Sequence, residues 1–349
     1  MPRVLYIDAS PFVGGAQASF RTLVDCAPAE AKAMAAGAGL WPWAQQTTFP
    51  AIQLSTSHWP ATPTGLFQYV RECRLSHPRL QKLLLDFQPD LIHCNTVRSA
   101  LLICALPKIR VPVIIHDRDI RMPWLARYYA ARKLSPHVLA VSSRVSRLWQ
   151  GLVPESRREV LFNAFDLEGI AQTAPIRPYD ANTLILAADF VPWKRHTLFL
   201  EAFRLAQQNH PALRGILKGR LRPNQEKYLG RLQSAIKKGP IPNIELIVDD
   251  SPALPWIAAS QLLIACSETE PFGRTAIEAL ALGKRVVATR SSLAPELLSL
   301  PGVTPCEPTP DALAQAILHS LDAPTPAPIL QAFSKETLAA NLARIYSNL

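Results

Sequence analysis

Two glutamates eight positions apart, Glu270 and Glu278, bracket the loop Pro271-Phe272-Gly273-Arg274-Thr275. Carboxylates accept hydrogen bonds from hydroxyl groups, and backbone N–H groups gathered between them can take phosphate oxygens. Two cations, Lys194 and Arg195, open another helical pattern within Asp189-Phe190-Val191-Pro192-Trp193-Lys194-Arg195-His196. A helix start favours acids, so cations placed there suggest an anionic ligand. Lys218 ends the apolar run Gly215-Ile216-Leu217 and adds a further positive charge. Gly14-Gly15 let backbone amides approach a phosphate closely. His116-Asp117 end another apolar run with polar groups. Together these groups suit a nucleotide sugar: amides and cations for the diphosphate, carboxylates for ribose and sugar hydroxyls. Each also has a plainer reading, as a helix-start or helix-face glutamate, a solvated Lys-Arg pair, an ordinary turn, or a histidine satisfied by backbone.

The surrounding pattern has to place these residues. Leu262-Leu263-Ile264-Ala265-Cys266 is short, apolar and bounded, as a buried strand is. After the Pro-Phe-Gly break, an apolar-periodic segment runs from Thr275 to Leu282 and stops at Gly283, a good helix C-cap. A second strand, Arg285–Thr289, follows. This order puts the helix N-terminus at the carboxyl end of a parallel sheet, with the N–H groups of Phe272, Gly273, Arg274 and Thr275 facing the ligand crevice. The same alternation runs along the chain. Strands are expected at Val4–Asp8, Ala51–Leu54, Leu91–Asn95, Val111–Asp117, Val138–Val141, Thr183–Ala188, Gly215–Lys218 and Ile244–Val248. Helices are expected at Ala16–Cys26, Phe67–Phe87, Ser99–Leu106, Arg121–Lys133, Ser143–Gln150, Lys194–Asn209, Asn224–Lys237 and Pro308–Leu321, with turns at Pro60–Pro63 and Ala323–Pro328. The result is an α/β chain with two parallel sheets. The expected domains are 1–166 and 183–330, with a linker at 167–182 and a closing helix in 331–349.

With Glu-Ala-Leu-Ala-Leu-Gly-Lys-Arg-Val-Val-Ala-Thr running on from it, Glu270-x7-Glu278 resembles the signature of family 4 retaining glycosyltransferases, the glycosyl transferases group 1. The resemblance implies the GT-B fold: two Rossmann-like parallel-sheet domains facing a cleft, with the C-terminal helix crossing back to the first. It implies an acceptor-binding first domain and a nucleotide-sugar-binding second domain. By the same resemblance, Glu270 would hold donor-sugar hydroxyls, Glu278 the nucleotide ribose, and Lys194 with Arg195 the diphosphate. His116 matches a histidine often placed near the acceptor or reacting sugar. Gly14-Gly15 matches a Gly-Gly-Ala-Glu loop, with Gln17 in place of the Glu, and Asn163-Ala164-Phe165-Asp166 an Asn-Gly-Val-Asp element. Glu296 matches a glutamate near the donor, although Ser291-Ser292 replace the usual glycines before it. The family usually has an arginine five residues before the lysine, and here Asp189 stands there. Either Asp189 turns away, or Arg195, Lys218 or Arg220 supplies the missing charge. The expected reaction moves a hexosyl unit, with retention, from a nucleotide-diphosphate sugar to an acceptor glycan, glycolipid or lipid-linked sugar in cell-surface polysaccharide or glycolipid synthesis. No cofactor beyond this donor is expected. No Asp-x-Asp pair follows a first-domain strand and no His/Cys cluster exists, so no metal site is expected.

The 349 residues suffice for two ordinary domains, and 48% hydrophobic with 18% charged residues fits globular cores. No apolar run is long enough to cross a membrane, and the N-terminus lacks the apolar core of a signal peptide. Six cysteines without a Cys-x-x-Cys are expected as free thiols in a reducing cytosol. The net charge of +10 is uneven: residues 1–163 carry 19 Lys and Arg against 10 Asp and Glu, and the remainder 18 against 17. A basic first domain calls for an anionic partner. Ala33–Val70 has no charged residue but holds Trp41, Trp43 and Trp59, and the basic residues Arg71, Arg74, Arg79 and Lys82 follow. A peripheral position on an anionic membrane, at the inner face, is therefore expected; the plainer reading is a solvated basic surface with its tryptophans in the core. Two other classes stay open. Asp189 favours a catalytically silent GT-B protein that binds a sugar or partner. The basic charge alone would allow a nucleic-acid binder, but no such module is present and none is expected.

Overall fold

The computed structural model describes residues 1–57, 63–106, 109–238, 241–324 and 329–349. The expected turns at Pro60–Pro63 and Ala323–Pro328 lie largely outside the described residues, as does Trp59. Two compact units emerge: Met1–Phe165 joined by Ala332–Leu349, and Asp166–Gln331.

The first unit is built on seven parallel strands: β1 (Arg3–Asp8), β2 (Ala31–Ala36), β3 (Ala51–Gln53), β4 (Leu91–Asn95), β5 (Val113–Asp117), β6 (His137–Ala140) and β7 (Arg158–Val160). Their order is β3-β2-β1-β4-β5-β6-β7. Strands covered on both faces must be apolar throughout. Accordingly β1 sends Leu5 and Ile7 into one core and Val4 and Tyr6 into the other. β2 was not expected, because Ala-Lys-Ala-Met-Ala-Ala has poor strand propensity. Its small side chains fit where the sheet is tightly covered, and Ala33 to Ala36 are fully buried. The closing helix Lys335–Ser347 starts on Ser334, whose hydroxyl accepts from the Thr337 N–H at 3.1 Å. It packs Leu338, Leu342, Ile345 and Tyr346 with Phe20, Leu23 and Val24 of the helix Gly15–Cys26. The end of the chain thus completes the first unit's core.

The second unit has six parallel strands: β8 (Asp180–Ala187), β9 (Arg214–Gly219), β10 (Ile244–Val248), β11 (Ser260–Ala265), β12 (Arg285–Thr289) and β13 (Val303–Cys306). Their order is β10-β9-β8-β11-β12-β13. Phe190, Phe199, Phe203, Leu217, Ile264 and Ile317 lie in the core on one face. The stretch 167–182 is more than a linker. Asp166 caps a short helix, Leu167–Ala171, by accepting from the Gly169 N–H at 3.2 Å. That helix packs against the helix Arg274–Ala281, and β8 already begins at Asp180.

In both sheets the chain works outward from the centre in two directions. The reversals fall between β1 and β4 and between β8 and β11. At such points successive connections leave on opposite faces, which opens a crevice at the carboxyl ends of the strands.

Candidate functional site

The loops after β8 and β11 flank the reversal in the second sheet, and they are tied together. The Glu268 N–H donates to the Trp193 carbonyl at 2.8 Å, and the Cys266 thiol to the Arg195 carbonyl at 3.4 Å. This lacing brings Lys194 against Glu270, Nζ to Oε1, as an ion pair with side chains 23% and 18% exposed. Two residues far apart in sequence are thereby held at one place. The ammonium carries three donors, so the pair fixes Lys194 while leaving it able to bind an anion.

Glu270 leads into the helix Arg274–Ala281 through Phe272 and Gly273. Gly273 has φ +113°, and a Cβ there would lie 2.4 Å from Leu293 Cδ2, so only glycine fits. Phe272 is buried and its carbonyl accepts from the Ala294 N–H at 2.7 Å, which ties this loop to the one after β12. The helix has no acidic residue in its first turn and no side-chain cap at Gly273. The positive end of its dipole, at Arg274 and Thr275, is therefore not offset by a carboxylate of that turn. One turn on, Glu278 Oε1 accepts from Arg274 Nη2 at 3.3 Å. Burial raises the Glu278 carboxyl above its usual range, with Arg274 opposing. Its Oε2 makes no hydrogen bond to a described residue. Ser291 and Ser292 donate to the Ser267 and Ala265 carbonyls at 3.1 and 2.7 Å, which ties the loop after β12 to the end of β11.

Arg195 adopts a left-handed backbone, φ +52°, at the start of the helix His196–Asn209. Its guanidinium is half-buried and has no partner among the described residues. Lys218 is differently placed from the expected donor contact. Its side chain is buried, and Nζ donates to Asp249 Oδ1 at 2.5 Å. A buried ammonium needs a paired carboxylate, and Lys218 in turn pulls the Asp249 carboxyl down to about 2. Asp249 is therefore the partner of this lysine. Asp189 meets Arg220 Nε at 3.0 Å and Arg222 Nε at 2.6 Å.

In the first unit, Gly14 and Gly15 open the helix Gly15–Cys26, with Gly15 exposed and Gly14 half-buried. Gln17 is buried and donates to Asp8 Oδ2 at 3.1 Å. Asp8 also accepts from Asn95 Nδ2 at 2.5 Å, and burial raises its carboxyl. A buried arginine, Arg118, donates to Asn95 Oδ1 at 2.8 Å, to Asn163 Oδ1, and to His116 Nδ1 at 3.1 Å. Because arginine only donates, His116 Nδ1 accepts and the imidazole carries its proton on Nε2. Burial, with Arg118 adding, depresses the His116 pKa well below its ordinary value. His116 is fully buried, with Arg118 against its Nδ1. Asp117 turns away from it to pair with Arg127 and the Trp149 indole N–H, each at 2.9 Å. Arg127 is accordingly a buried residue and not part of a basic surface.

The Asp8–Asn95–Arg118 chain went unnoticed in the sequence. Its only signal there is that each residue closes or follows an apolar run: Tyr-Ile-Asp8, His-Cys-Asn95, His-Asp-Arg118. Arg222 was also missed, although Gly219-Arg-Leu-Arg222 stands just after a strand.

Two Rossmann-like parallel-sheet units, the second with a lysine, two glutamates and a helix start at its reversal point, have the architecture of a GT-B glycosyltransferase. Residues 51–168 match the family model Glycosyltransferase Family 4, and residues 173–337 match Glycosyl transferases group 1. The chain belongs to the family 4 glycosyltransferases. Among solved structures, HepE of Anabaena in complex with UDP and glucose aligns over 100% of both chains at 21% identity, with a TM-score of 0.79. A glycosyltransferase from Rickettsia africae aligns over 99% of this chain and 98% of its own, at 18% identity and a TM-score of 0.77. Sucrose-phosphate synthase of Thermosynechococcus elongatus aligns over 100% and 99%, at 15% identity and 0.75. These are likenesses of fold. A comparison with curated proteins finds no match.

Proposed function

We propose that the protein transfers a sugar from a nucleotide-diphosphate donor to a hydroxyl acceptor, with retention and without a metal ion. The observation that carries this reading is the Lys194–Glu270 pair beside an uncapped helix start at the sheet's reversal point. As the donor bond breaks, negative charge grows on the leaving diphosphate. Lys194 and the N–H groups at Gly273–Thr275 stabilise it, with Arg195 adding charge. Glu270 accepts hydrogen bonds from the donor sugar, and Glu278, through Oε2, from the ribose. Membership of the family supports retention. HepE has been solved with UDP-glucose, which makes UDP-hexoses the first donors to try. The silent-protein alternative drew on Asp189 as an uncompensated anion, and that carboxylate is engaged by two arginines.

The acceptor is proposed to be lipid-linked or otherwise anionic, reached by a first unit lying on the inner face of a membrane. The helix Pro63–Phe87 exposes Arg71, Arg74, Arg79 and Lys82 together with Phe67, Val70, Leu75 and Leu85. The helix Trp124–Leu134 exposes Trp124, Leu125, Tyr128 and Tyr129 beside Arg132 and Lys133. Basic and apolar side chains interleaved on exposed helices suit an anionic interface. Trp41 and Trp43 take no part, since both pack against the core.

The test is a binding and turnover comparison on nucleotides and nucleotide sugars. Glu278→Gln should weaken the bare nucleoside diphosphate by about tenfold, because the ribose contact is common to donor and product. Glu270→Gln should bind that nucleotide as wild type does but turn over about a hundredfold more slowly. Wild-type behaviour of both variants would mean that the two glutamates do not have these roles.

A further inference from the structure

We infer that Trp124, backed by Tyr128, is a stacking surface for a sugar ring of the acceptor, so that the acceptor is a molecule that already carries a saccharide. The inference rests on the glycosyl-transfer reading and names the acceptor chemistry that this reading leaves open.

The topology puts this pair at the crevice of the first sheet. β5 lies beside β4, at whose border with β1 the strand order reverses, and the chain leaves the carboxyl end of β5 through residues 118–123 into the helix Trp124–Leu134. The first turn of that helix therefore stands at the rim of the crevice. The rim is pinned from below. Arg127 is buried, and its Nε donates to Asp117 Oδ2 at 2.9 Å, Nη1 to the Met122 carbonyl at 2.5 Å and Nη2 to the Asp119 carbonyl. The Asp119 N–H donates back to Asp117 Oδ1 at 3.0 Å, and the Arg121 N–H to Asp119 Oδ1 at 2.7 Å. One guanidinium thus ties the strand end, the loop and the helix together. With Arg127, Ala130 and Ala131 facing the core, helical spacing turns Trp124, Leu125, Tyr128 and Tyr129 outward.

Single exposed apolar residues are ordinary, but four within six positions at one rim make a patch. Its centre is ordered for stacking. Trp124 and Tyr128, four residues apart on the helix, lie ring on ring, with centroids 5.1 Å apart and planes 22° from parallel. Each ring covers one face of its neighbour and leaves its own outer face open, at 56% and 44% exposure. Tyr128 fixes the indole, so a ligand that continues the stack meets a preformed surface. Neither the indole N–H nor the phenol O–H makes a hydrogen bond to a described residue. A flat apolar face with free polar groups at its edge complements a pyranose, whose C–H face is apolar and whose hydroxyls project from the rim. A lipid chain has nothing to offer those polar groups. The helix is also polarised along its length: Arg132 and Lys133 are exposed about 12 Å further on, at ~1.5 Å per residue. The sugar end of a lipid-linked acceptor can therefore rest on the aromatic end of the helix, at the crevice, while its anionic part meets the basic end.

The test follows the methyl glycosides of glucose, galactose, mannose, rhamnose, N-acetylglucosamine and glucuronic acid by saturation-transfer NMR and titration, with UDP present. They are added to the full chain and to its Trp124→Ala, Trp124→Leu, Trp124→Phe and Tyr128→Ala variants. At least one glycoside should bind the wild type, with saturation strongest on the C–H protons of one ring face. Trp124→Ala and Trp124→Leu should each weaken it about tenfold, Tyr128→Ala less, and Trp124→Phe should keep part of the affinity. Wild-type affinity in Trp124→Leu would mean a merely apolar contact and overturn the stacking. No glycoside bound by the wild type, or equal binding by Trp124→Ala, would overturn it too; if Trp124→Ala then also fails to sediment with anionic vesicles, the indole belongs to the membrane alone. Both side chains lie at the surface, so Tm should not move; if Trp124→Ala does unfold, Trp124→Leu against Trp124→Phe decides. Release of nucleoside diphosphate from UDP-sugars by the wild type, without acceptor, separates the two readings. Release without glycoside binding strikes the stacking surface alone. Glycoside binding at Trp124 without release from any donor strikes the transferase reading, and the stacking surface stands as that of a sugar-binding protein.

Discussion

Gly273 shows how closely one residue can determine a site. Its positive φ and the nearness of Leu293 exclude any side chain, and the helix amides lie where they do because of it. Gly273→Ala should cost about 1–3 kcal/mol of stability in urea unfolding and also weaken nucleotide binding. Unchanged stability would show that the loop relaxes without strain. Residues of the local motif were legible in the sequence, since Glu270 to Glu278 is one continuous turn of chain whose Pro, Gly and apolar spacing speak for themselves. Partners were not. Lys194 with Glu270, Lys218 with Asp249, and Asp189 with Arg222 are each made by strands adjacent in the sheet but distant in sequence. The surroundings of His116 were hidden for a related reason: its position at a strand end was readable, but the buried Arg118 beside it was not.

Elements followed the same rule. Buried strands with Val, Ile and Leu stood out, and the central unit from β11 to β12 was read almost residue for residue. β2 was missed because alanines form a strand only when the neighbouring sheet demands one. The stretch 167–182 was taken as linker because of its two prolines, Pro175 and Pro178, and its little periodicity, whereas a capped helix and the first residues of β8 occupy its two ends. The long helix Pro63–Phe87 was legible as basic on one face; that Phe67, Val70, Leu75 and Leu85 share its exposure was not. This helix carries the membrane prediction. Sedimentation with anionic vesicles should bind the protein and weaken steeply with salt. Changing Arg71, Arg74, Arg79 and Lys82 to Ser should release it, since each basic residue near an anionic leaflet contributes about 1 kcal/mol before screening. Equal, weak binding to neutral and anionic vesicles would leave a solvated basic face and a soluble acceptor.

At the scale of the whole chain, alternation of strand and helix was enough to give two parallel sheets, because parallel neighbours require a crossover and each crossover here is a helix. The strand orders and their reversal points came only with the structure. They explain why groups from separate loops converge on Lys194 and Glu270. The closing helix Lys335–Ser347 joins the first unit through Leu338, Leu342, Ile345 and Tyr346, so truncating the chain before it would strip that unit's core. The central claim is that these folded units form a nucleotide-sugar transferase whose diphosphate site is made by protein cations and amides. The direct measurement is release of nucleoside diphosphate from a panel of UDP-, GDP- and ADP-sugars by the full chain in EDTA, beside Lys194→Ala. One donor should be turned over at an unchanged rate in EDTA, and Lys194→Ala should be about a hundred- to a thousandfold slower. No release from any donor above the protein-free blank, or a loss in EDTA that manganese restores, would contradict the account.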